Sequence, residues 1–260
     1  MIIADFARAP SALPLAQLGK LFPAQGQPYP IPPPKSASQR RMEEDDAPIL
    51  RYLYHAHQPI RHLEFGTWQG GGACLCLESC AATVWTLNLP DGESRPDGTW
   101  TYGERVTDES KAPPGAVRAN YGHDSDGPRT YHRTDAAGYI GRLYREAGLG
   151  HRVCQIYCDS RQWDHSAYPA DFFDSILIDG GHQPEVVVSD TRKALAVLRP
   201  GGLILWHDFC PLPEVRAQVE SVRGVTAGIE AVLSDLAPQF AALHWIDPSW
   251  ILLGLKKLPP

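Results

Sequence analysis

No stretch of this 260-residue chain is apolar for long enough to form a membrane-spanning helix, which excludes that class of protein. A basic surplus is missing too. The 24 lysines and arginines face 30 aspartates and glutamates, a formal net charge of −6, so no basic stripe is left to neutralise the phosphates of a nucleic acid. The opening residues, MIIADFARAP, carry an acid early and lack the basic-then-apolar order of a secretory signal. Cysteines stand at 74, 76, 80, 154, 158 and 210, but none forms C-x-x-C, and the CLCLESC cluster has no second half at zinc-ribbon spacing. Reduced, mostly buried thiols in a cytoplasmic protein are therefore expected. What remains, 43% hydrophobic and 21% charged, is an ordinary globular composition, sufficient for one large domain or one domain with an appendage.

Residues 1–47 differ from the rest. FPAQGQPYPIPPP (22–34) holds six prolines and is expected to be extended, polyproline-like chain. RRMEEDD (40–46) is a mixed-charge run, read as a solvated helix start or linker. The reading is thus a proline-rich extension at 1–47 and a domain at 48–260 with a long irregular insertion at 90–134. Oligomeric state is not legible, although such an arm could wrap a second copy in a homo-oligomer.

From Pro48 onward the pattern is regular. Helical spacing in PILRYLYHAH, ACLCLESCA, DAAGYIGRLYREAGL (Asp135 as N-cap), PEVVVSDTRKALAVL and GVTAGIEAVLSDLA alternates with strand-like HLEFG, TVWTLNL, RVCQIYCD, FDSILID and LILWHDF. ALHWI and WILLGLK close the chain as a strand pair around IDPS, and RPGG (199–202) reads as a turn. The middle strands are apolar on both faces, as in a parallel sheet covered by helices. The expected fold is an α/β, Rossmann-like, doubly wound and mostly parallel seven-stranded sheet ending in an antiparallel hairpin.

Ligands of such sheets bind beyond the carboxyl ends of the strands. At those ends stand Glu64, Asn88, Asp159, Asp179 and the pair His207-Asp208. The first turn, GTWQGGG, lacks the middle glycine of a dinucleotide fingerprint; Trp68 takes its place and obstructs the approach of a pyrophosphate. A ligand with adenosine and no phosphate, such as S-adenosylmethionine, does not need that opening. ILIDGGH (176–182) is the other singular stretch: an apolar strand halted by an acid, two glycines and a histidine.

The runs HLEFGTWQGGGA, TLNLP, YIGRLYREAGLGHRVCQIYCDS and FDSILIDGGHQPEVVVSDTRKALAVLRPGGLILWHDF resemble class I S-adenosylmethionine-dependent methyltransferases. They are most similar to the branch with macrocin-type O-methyltransferases and cephalosporin hydroxylase-associated proteins. The resemblance covers about 48–255. It implies that Glu64 and Gly66 line the methionine portion of the cofactor, with Thr67, Trp68 and Gly70 of the same turn. It likewise implies Asn88 at the ribose, Asp159 and Ser160 at the adenine, and Asp179 at the reaction centre. In metal-dependent members the acid ending the fourth strand is a metal ligand and a histidine three residues later is the base. These positions are Asp179 and His182, with His207 and Asp208 as further ligands of a divalent ion, Mg or Mn. His207 departs from the glutamate usual there, and imidazole favours Mn, Fe or Zn over Mg. Asn88 departs from the acid expected at a ribose, because an amide offers one acceptor and one donor. The implied activity is methylation of a small-molecule hydroxyl, without nucleic-acid or membrane partners. The rival readings are a non-catalytic interaction module on the same fold and a nicotinamide-dependent oxidoreductase.

Overall fold

The computed structural model describes residues 10–24, 26, 30–33, 35–40, 42–88, 103–106, 117–118, 131–133 and 140–259, of which 42–43, 103–106, 117–118 and 131–133 by backbone alone. Most of the 90–134 insertion, with Trp100, Tyr102, Tyr121 and His123, and the expected N-cap Asp135 lie outside these residues.

The strands are β1 (Ser11–Pro14), β2 (Arg61–Phe65), β3 (Thr83–Asn88), β4 (Gly103–Val106), β5 (Val117–Arg118), β6 (Tyr131–Arg133), β7 (Val153–Tyr157), β8 (Phe173–Ile178), β9 (Leu198–Trp206), β10 (Phe240–Asp247) and β11 (Leu252–Lys256). The helices are α1 (Leu18–Leu21), α2 (Ala47–His57), α3 (Gly71–Ser79), α4 (Arg142–Glu146), α5 (Pro184–Val197), α6 (Pro213–Gln218) and α7 (Glu220–Leu236). Eight strands form one sheet in the order β1-β10-β11-β9-β8-β2-β3-β7, and β4-β6-β5 form a small second one. The pairs β7-β3, β3-β2, β2-β8 and β8-β9 are parallel, whereas β11 runs antiparallel to both β9 and β10. This is the doubly wound sheet with its antiparallel hairpin, and the strand order reverses between β2 and β8.

Side chains alternate across the sheet as parallel strands demand. Ile176, Ile178, Ile204 and Trp206 pack with Val187, Val222 and Ile229 of α5 and α7. Leu177, Leu203 and Leu205 pack on the other face with Leu50, Leu53, Ala73 and Cys76 of α2 and α3. Among the described residues no helix is long and apolar enough to cross a membrane.

The structure differs from the sequence reading in the arm and at RPGG. The sheet has eight strands rather than seven, because Ser11–Pro14 of the arm pairs in parallel with β10. This is an edge position, where Pro14 costs no central ladder bond. Leu13, Leu15, Leu18 and Phe22 of the arm enter the same core as Ile246 and Leu253. RPGG is not a turn between helix and strand but the start of β9: Leu198 pairs with Phe173, and the register then shifts before Ser175. Gly201, at φ 70°, supplies the irregularity without ending the strand.

At the amino end of the sheet, away from the strand exits, Asp174 ties three segments together. Its carboxylate accepts from Ile60 N at 3.0 Å, Arg61 N at 2.7 Å and Arg199 Nε at 2.6 Å. Burial pushes this carboxyl up, but these donors and the Arg199 charge outweigh burial and hold it below its ordinary value. Asp174→Ala should cost about 1–3 kcal/mol, read as a lower melting temperature. A depressed acid contributes stability above its unfolded value, near 3.9, and loses it as pH falls through the folded one. The gap between wild type and variant should therefore close in strong acid. A gap unchanged at pH 2 would show that packing, not charge, is lost.

Candidate active site

The exits of β2, β3, β8 and β9 converge because the strands pair in register. Phe65 pairs with Ile178, and Ile178 with Trp206, so Gly66, Asp179 and His207 follow side by side. Asp179 N donates to Phe65 O at 2.9 Å and His207 N to Ile178 O at 3.0 Å, which carries the ladder one residue past each strand. The apolar run of β8 thus stops on an acid at the point where its backbone still lies in the sheet and its side chain meets His207.

Asp208 sits at φ 59°, so the chain has already left the strand after Trp206. That turn brings two consecutive side chains, which a strand would point oppositely, to the same carboxylate. His207 Nδ1 lies 3.2 Å from Asp179 Oδ1 and 3.4 Å from Asp208 Oδ1. His182, arriving through Gly180 and Gly181, places Nε2 at 3.0 Å from Asp208 Oδ2 and remains one-quarter exposed at 25%. Asp179, His182 and Asp208 each offer a donor atom within 4.8 Å of the others.

The sequence reading of RRMEEDD as a solvated helix start or linker holds in part: Asp46 does open α2, but Arg40, Asp45 and Asp46 are buried. Asp46 is the N-cap of α2, yet its carboxylate makes no cap bond. It turns instead behind the site, accepting from Arg40 NH1 at 3.0 Å and Trp250 N at 3.0 Å, with His207 Nε2 at 3.5 Å. The Arg40–Asp46 pair is local, but nothing near it in the sequence announces Trp250 and His207, which lie far along the chain. Pro48 marks a helix start but says nothing of where the capping acid points.

His207 therefore turns both ring nitrogens toward carboxylates at 3.2–3.5 Å without an aligned hydrogen bond, so charge holds it. Burial opposes a charged imidazole, but Asp179 and Asp208, with Asp46 behind, keep it protonated well above its ordinary range. Burial would also raise the Asp208 carboxyl; His207, His182 and a hydrogen bond from Ser221 outweigh it and hold that carboxyl well below the usual range. His182 is lowered by burial, yet Asp208 and Asp179 raise it overall.

Beside this cluster, the first turn is built around close approaches. Gly66 has φ 101°, and a Cβ there would lie 2.7 Å from the Asp179 carbonyl carbon and 2.8 Å from Gly180 Cα. A Cβ on Gly72 would strike the Glu64 carboxyl. Trp68 N donates to Asn88 Oδ1 at 3.0 Å, so the Asn88 amide oxygen holds the turn. Thr67 Oγ1 is buried against Thr86 Oγ1 at 2.7 Å and Gln155 Nε2 at 2.9 Å. Gly70 N closes the turn on Thr67 O at 2.7 Å. At the exit of β7, Arg161 grips Asp159 with NH2–Oδ2 at 2.6 Å, and Ser160 O accepts from Lys193 Nζ at 2.6 Å. Of the expected cofactor residues, Gly66, Thr67, Trp68 and Gly70 thus form one turn held by Asn88, and Asp159 and Ser160 stand at the exit of β7.

Glu64 is buried and accepts from Thr86 Oγ1 at 2.5 Å. Burial, reinforced by Asp179 against the hydrogen bonds, pushes its carboxyl up to about 8. An acid raised on folding adds no penalty below its unfolded value near 4.3, and a growing one as pH rises toward 8. Glu64→Gln should accordingly be more stable than wild type by about 1–4 kcal/mol at pH 8 and equal to it near pH 4. Melting temperatures across that range check the sign, and a variant less stable at pH 8 would refute it.

A family model described as a methyltransferase domain matches residues 63–209, which include the exits of β2, β3, β7, β8 and β9. The chain belongs to this methyltransferase family. Solved structures share the fold at low identity. The SAH-bound methyltransferase PaMTH1 of Podospora anserina superposes with a TM-score of 0.51 at 15% identity, over 82% of this chain and 78% of that one. The cofactor-bound Rv0187 from MTB gives 0.52 at 17% identity, over 86% and 87%. A protein of Staphylococcus aureus described as a caffeoyl-CoA O-methyltransferase gives 0.51 at 12% identity, over 87% and 86%. No curated protein matches the sequence. In this methyltransferase, Asp46, Arg40 and Trp250 lie outside the matched segment and still complete the cluster around His207.

Proposed function

We propose that this methyltransferase moves the methyl group of S-adenosylmethionine to a hydroxyl oxygen of a small molecule, with His182 taking the hydroxyl proton. The observation that carries the reading is the His182 Nε2–Asp208 Oδ2 contact of 3.0 Å, placed beside Asp179 and the Gly66 turn with the imidazole still reachable from solvent. Displacement at a sulfonium methyl is in line, so the protein chiefly aligns donor and acceptor. The remaining task is removal of a proton, for which an imidazole oriented by a carboxylate is suited. Asp208 fixes the ring, and His207, held from behind by Asp46, fixes Asp208 and Asp179. Cofactor-bound relatives of the same fold and the adenosine-compatible turn at Trp68 support the cofactor.

The donor chemistry also fits a divalent cation. Asp179 and Asp208 would hold it, and such an ion, when bound, lowers the pKa of an acceptor hydroxyl and orients it. His207, whose Nδ1 faces both carboxylates, is assigned the orienting role here. With Nε2 engaged by Asp208, the proton is taken at Nδ1 of His182, and the base role rather than ligation is the one assigned here.

The reading is tested by thermal shift with S-adenosylmethionine, S-adenosylhomocysteine and NAD, followed by methyl-labelled cofactor against a panel of hydroxylated acceptors. Stabilisation by NAD alone would replace it with an oxidoreductase, and cofactor binding without turnover would favour an interaction module. In the same assay, chelation should lower turnover and added ions restore it. Mg²⁺ restoring as well as Mn²⁺ fits an oxygen-only pair. A marked preference for Mn²⁺ would place His182 in the coordination set and remove it as base. Full turnover after exhaustive chelation would remove the ion from the reading.

A further inference from the structure

Cys76 and Cys80 have no part in the chemistry above, yet the fold places them together. They lie one helical turn apart on α3 and at its C-cap, on one face of the helix. Their sulfurs are 3.8 Å apart, and Cys80 Sγ lies 3.2 Å from Cys76 O. Cys80 has φ −155° and ψ 177°, outside the helix, so its side chain can swing without unwinding the turns before it. The only backbone bond at risk is Cys80 N to Cys76 O, 3.1 Å long.

The surroundings differ for the two thiols. Cys76 is fully buried, while Cys80 is half-buried. Arg152 wraps the same helix end, donating from NH2 to Cys80 O at 2.6 Å and to Ala82 O at 2.7 Å, and from NH1 to Leu77 O at 2.9 Å. The Cys76 hydrogen bond lowers the Cys80 thiol against the opposing effect of burial, with help from the Ala82 backbone and the Arg152 charge. Burial pushes Cys76 the other way. A half-exposed thiol beside a guanidinium, with a second thiol in reach, is the arrangement of an attacking and a resolving cysteine.

We infer that Cys80 and Cys76 form a peroxide-sensitive dithiol that closes reversibly to an intrahelical disulfide at the end of α3. The Cys80 thiolate attacks one peroxide oxygen, breaking the O–O bond to give a sulfenic acid and hydroxide, which takes up the proton lost when the thiol ionised. The Cys76 sulfur then attacks the sulfenic sulfur; the S–OH bond breaks, the thiol proton joins the departing hydroxide, and water leaves. In total two thiols lose two electrons and two protons, and one peroxide becomes two waters. The sulfurs must close from 3.8 Å to a bond of about 2.05 Å, a movement the C-cap residue can supply.

The test uses the full chain treated with hydrogen peroxide, unfolded in alkylating agent and read by peptide mass spectrometry. The peptide spanning 74–80 should lose about 2 Da in total, regain it with dithiothreitol, and leave Cys74 alkylated. Cys74→Ser should still close the bridge. Cys76→Ser should instead accumulate a Cys80 sulfenic acid that reacts with dimedone. If Cys76→Ser proves unstable, the wild-type and Cys74→Ser digests decide alone. Three alkylated cysteines in that peptide after peroxide, or a bridge that uses Cys74, would overturn the inference.

Discussion

Gly66→Val is expected to abolish S-adenosylhomocysteine binding, with affinity down by at least about 100-fold and a lower melting temperature. From the sequence, the added side chain would enter the cofactor's space. The structure gives a different route: at φ 101° the Cβ meets the Asp179 carbonyl carbon at 2.7 Å and Gly180 Cα at 2.8 Å. Both atoms are backbone and cannot rotate away. A β-branched residue in the left-handed region adds roughly 1–3 kcal/mol of strain. The exits of β2 and β8 must then part, and the turn that faces the cofactor moves with them. Gly66→Ala carries the same Cβ and should show much of the same loss. Calorimetry with S-adenosylhomocysteine, alongside circular dichroism, checks this. Unchanged affinity in a folded variant would remove the turn from the cofactor site.

His182→Ala should lower turnover by roughly 10²–10⁴-fold while S-adenosylhomocysteine affinity stays near wild type. The pH dependence separates a base from a contact residue. Burial lowers this imidazole, but Asp208 and Asp179 raise it above its ordinary value overall. A base works in its neutral form, so wild-type turnover should still be climbing above about pH 6.5. Asp208→Asn removes the raising charge: the rise should shift to lower pH while the plateau falls, because the ring loses its orienting partner. The deficit of His182→Ala should shrink at high pH, where ionised acceptor replaces the base. A variant with full activity at pH 7 would return His182 to an ordinary turn residue.

The parallel sheet was legible because its central strands carry apolar residues toward both faces, and β8 is buried from Phe173 to Ile178. The strand exits were legible because polar residues interrupt those runs. What could not be read depends on distant partners. SALP is too short to show alternation, and only the edge of β10 makes it a strand. RPGG carries turn chemistry that β9 absorbs as an irregularity. Asp46 looked like part of a solvated charge run because its partners, Trp250 and His207, are brought to it by the fold alone. The setting of His207 was hidden for the same reason, since the sequence does not show the third acid that stands behind its ring.

The involvement of Asp46 bears on how portable this active site is. Sequence comparison delimits a methyltransferase unit at 63–209, and such limits guide gene trimming and the grafting of catalytic cores. Here that cut would retain His182, Asp179, His207 and Asp208 but discard the Arg40–Asp46 pair and Trp250. The excised unit would keep every residue proposed here to act in the chemistry and lose the counter-charge that holds His207 between two aspartates. The smallest transferable unit of this enzyme is thus longer than its family domain, and variation in the segment before α2 falls within reach of selection on the chemistry itself.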